Sequence, residues 1–108
     1  IFVVYRGLNA KTDHPIYPIP ASEEIFDAIG EAKYFSTLDL SSGYYQIPIK
    51  SDDMKKPAFT TKHGQFEFTR MPFGLCSAPA TFQKMMNIIL QRENWSKCLI
   101  YLDDVLIF

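Results

Sequence analysis

Residues 97–108 read Lys97-Cys-Leu-Ile-Tyr101-Leu-Asp103-Asp104-Val-Leu-Ile-Phe108, two short apolar runs on either side of a pair of acids. The pattern is that of two strands joined by a tight hairpin with both carboxylates at its tip. Asp is a common turn residue, so a plain turn is the simplest reading of the pair. Its physical cost argues otherwise: adjacent carboxylates repel, and Asn-Gly or Asp-Gly turns a hairpin more cheaply. A third acid stands in a comparable place. Tyr34 to Leu40 alternates like a half-buried strand, with Asp39 at its end, just before the turn-forming Ser41-Ser42-Gly43. If these strands are neighbours in one sheet, Asp39, Asp103 and Asp104 converge, and such a cluster needs a cation. Hard oxygen donors with no His or thiolate nearby suit Mg²⁺ or Mn²⁺, which keep waters and are completed by substrate phosphates. Two ions about 3.5 to 4 Å apart would serve an in-line phosphoryl transfer. A Ca²⁺-stabilised structural domain needs roughly six to eight oxygens, and three acids in two motifs supply too few.

The other segments predict a small α+β unit. Ile1 to Tyr5 reads as a strand end, and Asn9 to Pro20 as a connector in which Pro15, Pro18 and Pro20 forbid helix. Ser22 as cap, Glu23 and Glu24 in the first turn and Gly30 as stop predict a helix over 22–29. Gln46 to Ile49 leads through a polar stretch into a hairpin, Ala58 to Thr61 and Phe66 to Met71 around Lys62-His63-Gly64-Gln65. His63 beside Gly64 is a turn residue rather than a catalytic one. Ser77-Ala78-Pro79 opens the longest helix, along which Phe82, Met85, Met86, Ile89 and Leu90 form one stripe. That stripe is a core face, not a cofactor box.

Composition narrows the classes. The 108 residues carry 11 Lys and Arg against 12 Asp and Glu, a formal net charge of -1, with 47% hydrophobic and 15% aromatic residues. So much apolar surface excludes disorder, and the absence of a basic excess excludes a general polyanion-binding surface. No apolar run reaches membrane-span length and no leader precedes the first segment, so a soluble protein without a membrane partner is expected. Cys76 and Cys98, both in apolar contexts, read as reduced, packed thiols of an intracellular protein. Both ends fall inside apolar runs, which predicts a piece of a longer polypeptide. A sheet cut this way should expose unpaired edges, Val105 to Phe108 above all.

Three segments together resemble motifs of reverse transcriptases, in that family's order. They are Phe35-Ser-Thr-Leu-Asp39-Leu-Ser-Ser-Gly43-Tyr44-Tyr-Gln46-Ile47, Met71-Pro-Phe-Gly74-Leu-Cys-Ser-Ala-Pro79-Ala-Thr-Phe82-Gln83 and Tyr101-Leu-Asp103-Asp104. The wording is most similar to Pol polyproteins of gypsy-type long-terminal-repeat retrotransposons, and the resemblance covers nearly the whole chain. It implies a partial right-hand polymerase, palm plus part of the fingers, with a small antiparallel sheet backed by helices. Residues 1–33 and about 50–70 would be fingers-like, 34–49 and 71–108 palm-like. It implies an RNA-directed DNA polymerase that adds deoxynucleotides to a primer 3′-hydroxyl on an RNA or DNA template. Two Mg²⁺ or Mn²⁺ ions would assist, and the thumb and ribonuclease H of the polyprotein would be partners. The expected location is intracellular, in the cytoplasm or a virus-like particle.

Residue by residue, the resemblance makes Asp39, Asp103 and Asp104 the catalytic carboxylates and metal ligands, with the Leu40 carbonyl as an additional ligand. Backbone amides of Ser42 and Gly43 match positions that hold the triphosphate. Tyr44 matches the aromatic residue that blocks a 2′-hydroxyl, and Phe73 and Gly74 match the nucleotide and template pocket. Tyr101 and Arg6 fall on the primer-template side. For Phe73 and Tyr101, plain core packing is the alternative. The opening departs from the family pattern Arg-Phe-Val-Val-Asp-Tyr-Arg: here it is Ile1-Phe2-Val3-Val4-Tyr5-Arg6, with Ile1 in place of an Arg that contacts triphosphate and with the Asp missing. Lengthening or shortening a strand by one residue flips its side chains or forces a bulge. The competing expectation is therefore a catalytically dead, transposon-derived remnant that serves at most as a binding module.

Overall fold

The computed structural model describes residues 2–108. Among the described residues there are three α-helices, two short 3₁₀ helices and five strands, and the strands form two antiparallel sheets, one of three and one of two. Contacts sort the chain into two compact units, residues 1–15 with 42–78 and residues 16–41 with 79–108.

The second unit holds the three-stranded sheet. Its strands are β1 (Ser36–Asp39), β4 (Cys98–Tyr101) and β5 (Asp104–Ile107), in the order β1-β5-β4 with both pairings antiparallel. The segment 104–107 is thus the middle strand, not the exposed edge expected from the sequence; β1 and β4 carry the edges. The hairpin also differs by one residue. Tyr101 pairs with Asp104, so the two-residue turn is Leu102-Asp103, and Asp104 begins β5 instead of sitting at the tip. Leu102 has φ of 55° and takes up the left-handed backbone that the turn requires.

Side chains alternate across a sheet, and directly opposed residues share a face. One face therefore carries Cys98, Ile100, Val105, Ile107 and Leu38, and Met86 of α3 (Ala78–Ile89) lines one groove with Leu38, Cys98, Val105 and Ile107 of that face. Phe82, Met86, Cys98, Ile100 and Val105 are all buried. The stripe read from the sequence is a core face at Phe82 and Met86, whereas Ile89 is 64% exposed. β1 was expected to be half-buried, yet all four of its residues are exposed. The reason is its edge position: Leu38 looks into an open apolar groove lined also by Met86, Leu90 and Cys98.

Also in this unit, α2 (Ser22–Ile29) occupies the residues predicted for it, but Ala21, not Ser22, is its cap. The carboxylate of Glu24 accepts the Ala21 N–H at 3.0 Å, so the helix begins one residue earlier than the Ser signal suggested. Gly30 ends it at φ 53°. No residue of α2 is buried, so α3 supplies the helical half of the core.

In the first unit, residues 2–5 form no strand; Ile1 lies outside the described residues. Among the described residues this run has no strand partner, and α1 (Arg6–Asn9) follows it at once, with the Asn9 N–H donating to the Tyr5 carbonyl at 2.8 Å. Tyr5 is buried, and its hydroxyl donates to the Pro57 carbonyl at 2.9 Å. Burial, and secondarily Tyr45, push the Tyr5 phenol above its ordinary value. β2 (Phe59–Thr61) and β3 (Gly64–Phe66) pair antiparallel with Thr61 opposite Gly64, which leaves Lys62-His63 as a two-residue turn in place of the four-residue loop expected. His63 is indeed in the turn, where its N–H donates to the Thr61 hydroxyl at 3.1 Å.

Candidate active site

The sheet of the second unit gathers the three acids at one end. Asp39 is the last residue of β1 and lies directly opposite Asp104, the first of β5. Tyr101 lies opposite Asp104 on the other side. By alternation, Asp39, Asp104 and Tyr101 share the face turned away from α3. The register continues one step past the strand ends, where the Leu40 N–H donates to the Asp103 carbonyl at 3.0 Å. Asp39 and Asp104 are exposed and Asp103 is half-buried, so water reaches all three. The two acid-bearing strands are thus neighbours, with Asp39 opposite Asp104.

The carboxylates do not form a closed cage. Among the described residues, no three Asp, Glu, His or Cys side chains stand close enough to hold an ion by themselves. The donor set nonetheless fits a divalent hard cation, because it is all oxygen and accessible to solvent. Cys98, the nearest thiol in the sheet, is buried on the opposite face, and burial, with Glu93 secondarily, pushes its pKa up. It stays a protonated core residue, as its apolar context implied.

The first unit holds Arg6, Ser42, Gly43, Tyr44, Phe73 and Gly74, whereas Tyr101 belongs to the second. Ser42, at φ 50°, precedes a turn of 3₁₀ helix over Gly43–Gln46, and its carbonyl accepts the Tyr45 N–H at 2.9 Å. Gly43 is buried and Tyr44 half-buried. The ring of Phe73 packs against Tyr44 at 4.9 Å and Tyr45 at 5.1 Å between centroids, leaving Phe73 41% exposed. Gly74 needs its φ of 94°, and a Cβ there would meet the Tyr5 ring and the Val3 carbonyl, each at 3.5 Å. Arg6 is exposed at the start of α1, and Tyr101 is 49% exposed, so neither is a core residue.

Two positions were passed over in the sequence. Asn9 donates to the Gly74 carbonyl at 2.8 Å and accepts the Cys76 N–H at 3.0 Å, which pins the 73–76 segment. Gln83, 1% exposed on α3, accepts the Leu102 N–H at 2.7 Å and donates to the Ile100 carbonyl at 3.1 Å. Gln83 closes the second of the three family-like motifs and is an uncharged amide next to the apolar stripe, yet neither signal gave it a role; for Asn9 there is no signal.

Comparison with known proteins places this geometry. Residues 1–108 match the family described as reverse transcriptase (RNA-dependent DNA polymerase). The chain belongs to the reverse transcriptase family. It is 47% identical over 108 residues to the retrovirus-related Pol polyprotein from transposon 297 of Drosophila melanogaster, covering all of this chain and 10% of that protein. It is 41% identical over 108 residues to the Pol polyprotein from transposon gypsy of the same fly, again covering all of this chain and 10% of the relative. Among solved structures, a foamy viral protease-reverse transcriptase in complex with RNA/DNA hybrid superposes with a TM-score of 0.83 at 30% identity, covering 97% of this chain and 14% of that one. The gypsy-type resemblance and the polymerase fold implied by the three motifs are therefore correct. The chain spans about a tenth of the length of these curated relatives. Reverse transcriptases as a family use divalent metal ions. Among the described residues, no helix is long and apolar enough to cross a membrane.

Proposed function

We propose that this reverse transcriptase segment supplies the catalytic carboxylates of an RNA-directed DNA polymerase, acting on deoxynucleoside triphosphates and an RNA or DNA template with its primer. The observation that supports this most strongly is the register of the sheet. Two strands distant in sequence set Asp39 opposite Asp104, with Asp103 tied to Leu40 beside them. Like charges directly opposed on a sheet are unfavourable, so their retention together makes sense when a cation neutralises them.

In this reading Asp39 and Asp103 are the principal ligands, with Asp104 and the Leu40 carbonyl as further oxygen donors. Two divalent ions bound there would supply activation of the primer 3′-hydroxyl and neutralisation of the leaving pyrophosphate. Amides of Ser42 and Gly43 hold the triphosphate, and the Tyr44 ring excludes a 2′-hydroxyl. Phe73 and Gly74 line the nucleotide pocket, and Tyr101 and Arg6 serve the primer-template. Residues 1–33 and about 50–70 correspond to fingers, 34–49 and 71–108 to palm. The thumb and ribonuclease H of a Pol polyprotein complete the enzyme, with Mg²⁺ as the working ion.

The test is primer extension by the complete polymerase carrying this sequence. Asp39→Asn or Asp103→Asn is expected to lower the rate about a thousandfold or more, while template-primer affinity persists. Near-normal extension by either variant overturns the assignment. An inactive parent enzyme would favour the remnant reading, which rests on Ile1 and the missing Asp before Tyr5.

A further inference from the structure

The turn that carries Asp103 is built on an unfavourable residue. A two-residue hairpin with positive φ at its first position ordinarily places Gly there, since a side chain in left-handed backbone is strained. Here that position is Leu102, at φ 55°. Something outside the hairpin must hold it, and the structure shows one such group. The Gln83 carboxamide, 1% exposed on α3, accepts the Leu102 N–H at 2.7 Å and donates to the Ile100 carbonyl at 3.1 Å. These two backbone groups bracket Tyr101 and lead directly into Asp103. The amide is itself oriented, because its nitrogen also reaches Asn87 Oδ1 at 3.4 Å. Asn87 in turn accepts from Asn94 at 3.3 Å and donates to the Tyr17 hydroxyl at 3.1 Å.

We infer that Gln83 is a positioning residue, whose buried carboxamide fixes the Leu102-Asp103 turn and so sets how the Asp103 and Asp104 carboxylates meet a divalent cation. The inference rests on the polymerase reading above. A carboxamide is suited to the task because one planar group presents both a donor and an acceptor. A carboxylate only accepts, and a thioether or alkyl chain would leave the half-buried Leu102 N–H and the buried Ile100 carbonyl without this partner. With the clamp gone, Leu102 can relax to a more ordinary φ, and Asp103 shifts with it as far as the bond from the Leu40 N–H to its carbonyl allows.

The experiment measures the metal alone. Mn²⁺ is titrated into the complete polymerase without nucleotide or template, and bound ion is read by electron paramagnetic resonance. Subtracting the Asp103→Asn variant isolates the part due to this site. Gln83→Met is expected to weaken the Asp103-dependent Mn²⁺ binding about tenfold, a difference equal to one decade in the dissociation constant. Gln83→Glu, which keeps the acceptor for Leu102 and loses the donor to Ile100, is expected to fall between. Amide exchange over residues 98–106 is followed in the same samples and is expected to accelerate at Leu102 while the β4–β5 ladder stays protected. Unchanged Mn²⁺ affinity in a protected, folded variant overturns the inference, as does loss of ladder protection in both variants, which would make Gln83 a purely structural residue. Absence of any Asp103-dependent Mn²⁺ binding in the parent enzyme would overturn the polymerase reading itself, a separate outcome.

Discussion

Asp39 and Asp104 should strain the sheet that holds them whenever no cation is bound, and Asp104→Asn should relieve that strain. Directly opposed residues have Cβ atoms about 5 Å apart. Both acids are exposed, so the dielectric between them is close to that of water. Two unit charges at that distance in water repel by roughly 0.8 kcal/mol. At 0.01 M salt nearly all of this survives, and at 1 M, where the Debye length is about 3 Å, less than a quarter does. The readout is amide exchange over residues 36–40 in metal-free protein, because opening of the β1–β5 pairing exposes those amides, including the Leu40 N–H bound to Asp103. Asp104→Asn is expected to slow this exchange about threefold at 0.01 M salt and by less than about half that factor at 1 M. Added Mg²⁺ should slow exchange in the parent and not in the variant. Equal exchange in parent and variant at low salt would refute the reasoning, since the register would then place no appreciable repulsion across the pair.

Other expectations follow from single side chains. Phe82→Ala removes a ring of α3 that is 1% exposed, and should destabilise the second unit by about 3–5 kcal/mol in denaturant melts followed by tryptophan fluorescence. Tyr44→Val, assayed by the ratio of kcat/KM for ribo- and deoxynucleotides in the complete polymerase, should raise ribonucleotide use by about an order of magnitude; an unchanged ratio would make Tyr44 only the packing partner of Phe73. The Tyr5 phenol, raised above 10.0 chiefly by burial, is protonated more readily folded than unfolded, so its contribution is intact below pH 10 and is lost as pH rises through the higher folded value. Tyr5→Phe should therefore flatten the alkaline loss of stability, measured as the melting temperature across that range.

Where the sequence could be read, a local signal coincided with a tertiary one. The helix over 22–29, the apolar face at Phe82 and Met86, and the strand ending at Asp39 all declare themselves by spacing and punctuation. The misreadings share a cause, which is that pairing is decided by partners far away in sequence. Residues 2–5 have the composition of a strand but no partner, so they run into α1 instead. Val105 to Ile107 resemble an edge, yet β1, far away in sequence at Ser36–Asp39, pairs alongside them. One residue of register separates Asp104 at a hairpin tip from Asp104 in a ladder, and that residue is Leu102 in a conformation ordinarily left to Gly. The acids were visible because their repulsion needed explaining. Gln83 and Asn9 were not, because a hydrogen bond to a distant backbone leaves no periodic trace.

The sheet order also dictates when, during synthesis, the carboxylate end can exist. The middle strand is β5, the last of the five to be made, while one of its two partners, β1, is the first. Until the residues opposite β1 have emerged, Ser36 to Asp39 wait unpaired, and joining them closes a loop that holds most of the chain. Closure over such a separation is an entropic cost met late, and topologies that depend on it fold slowly. In a nascent chain, β1 is therefore a strand without a sheet for as long as the ribosome takes to reach Ile107, and the acids come together only after β5 has been made.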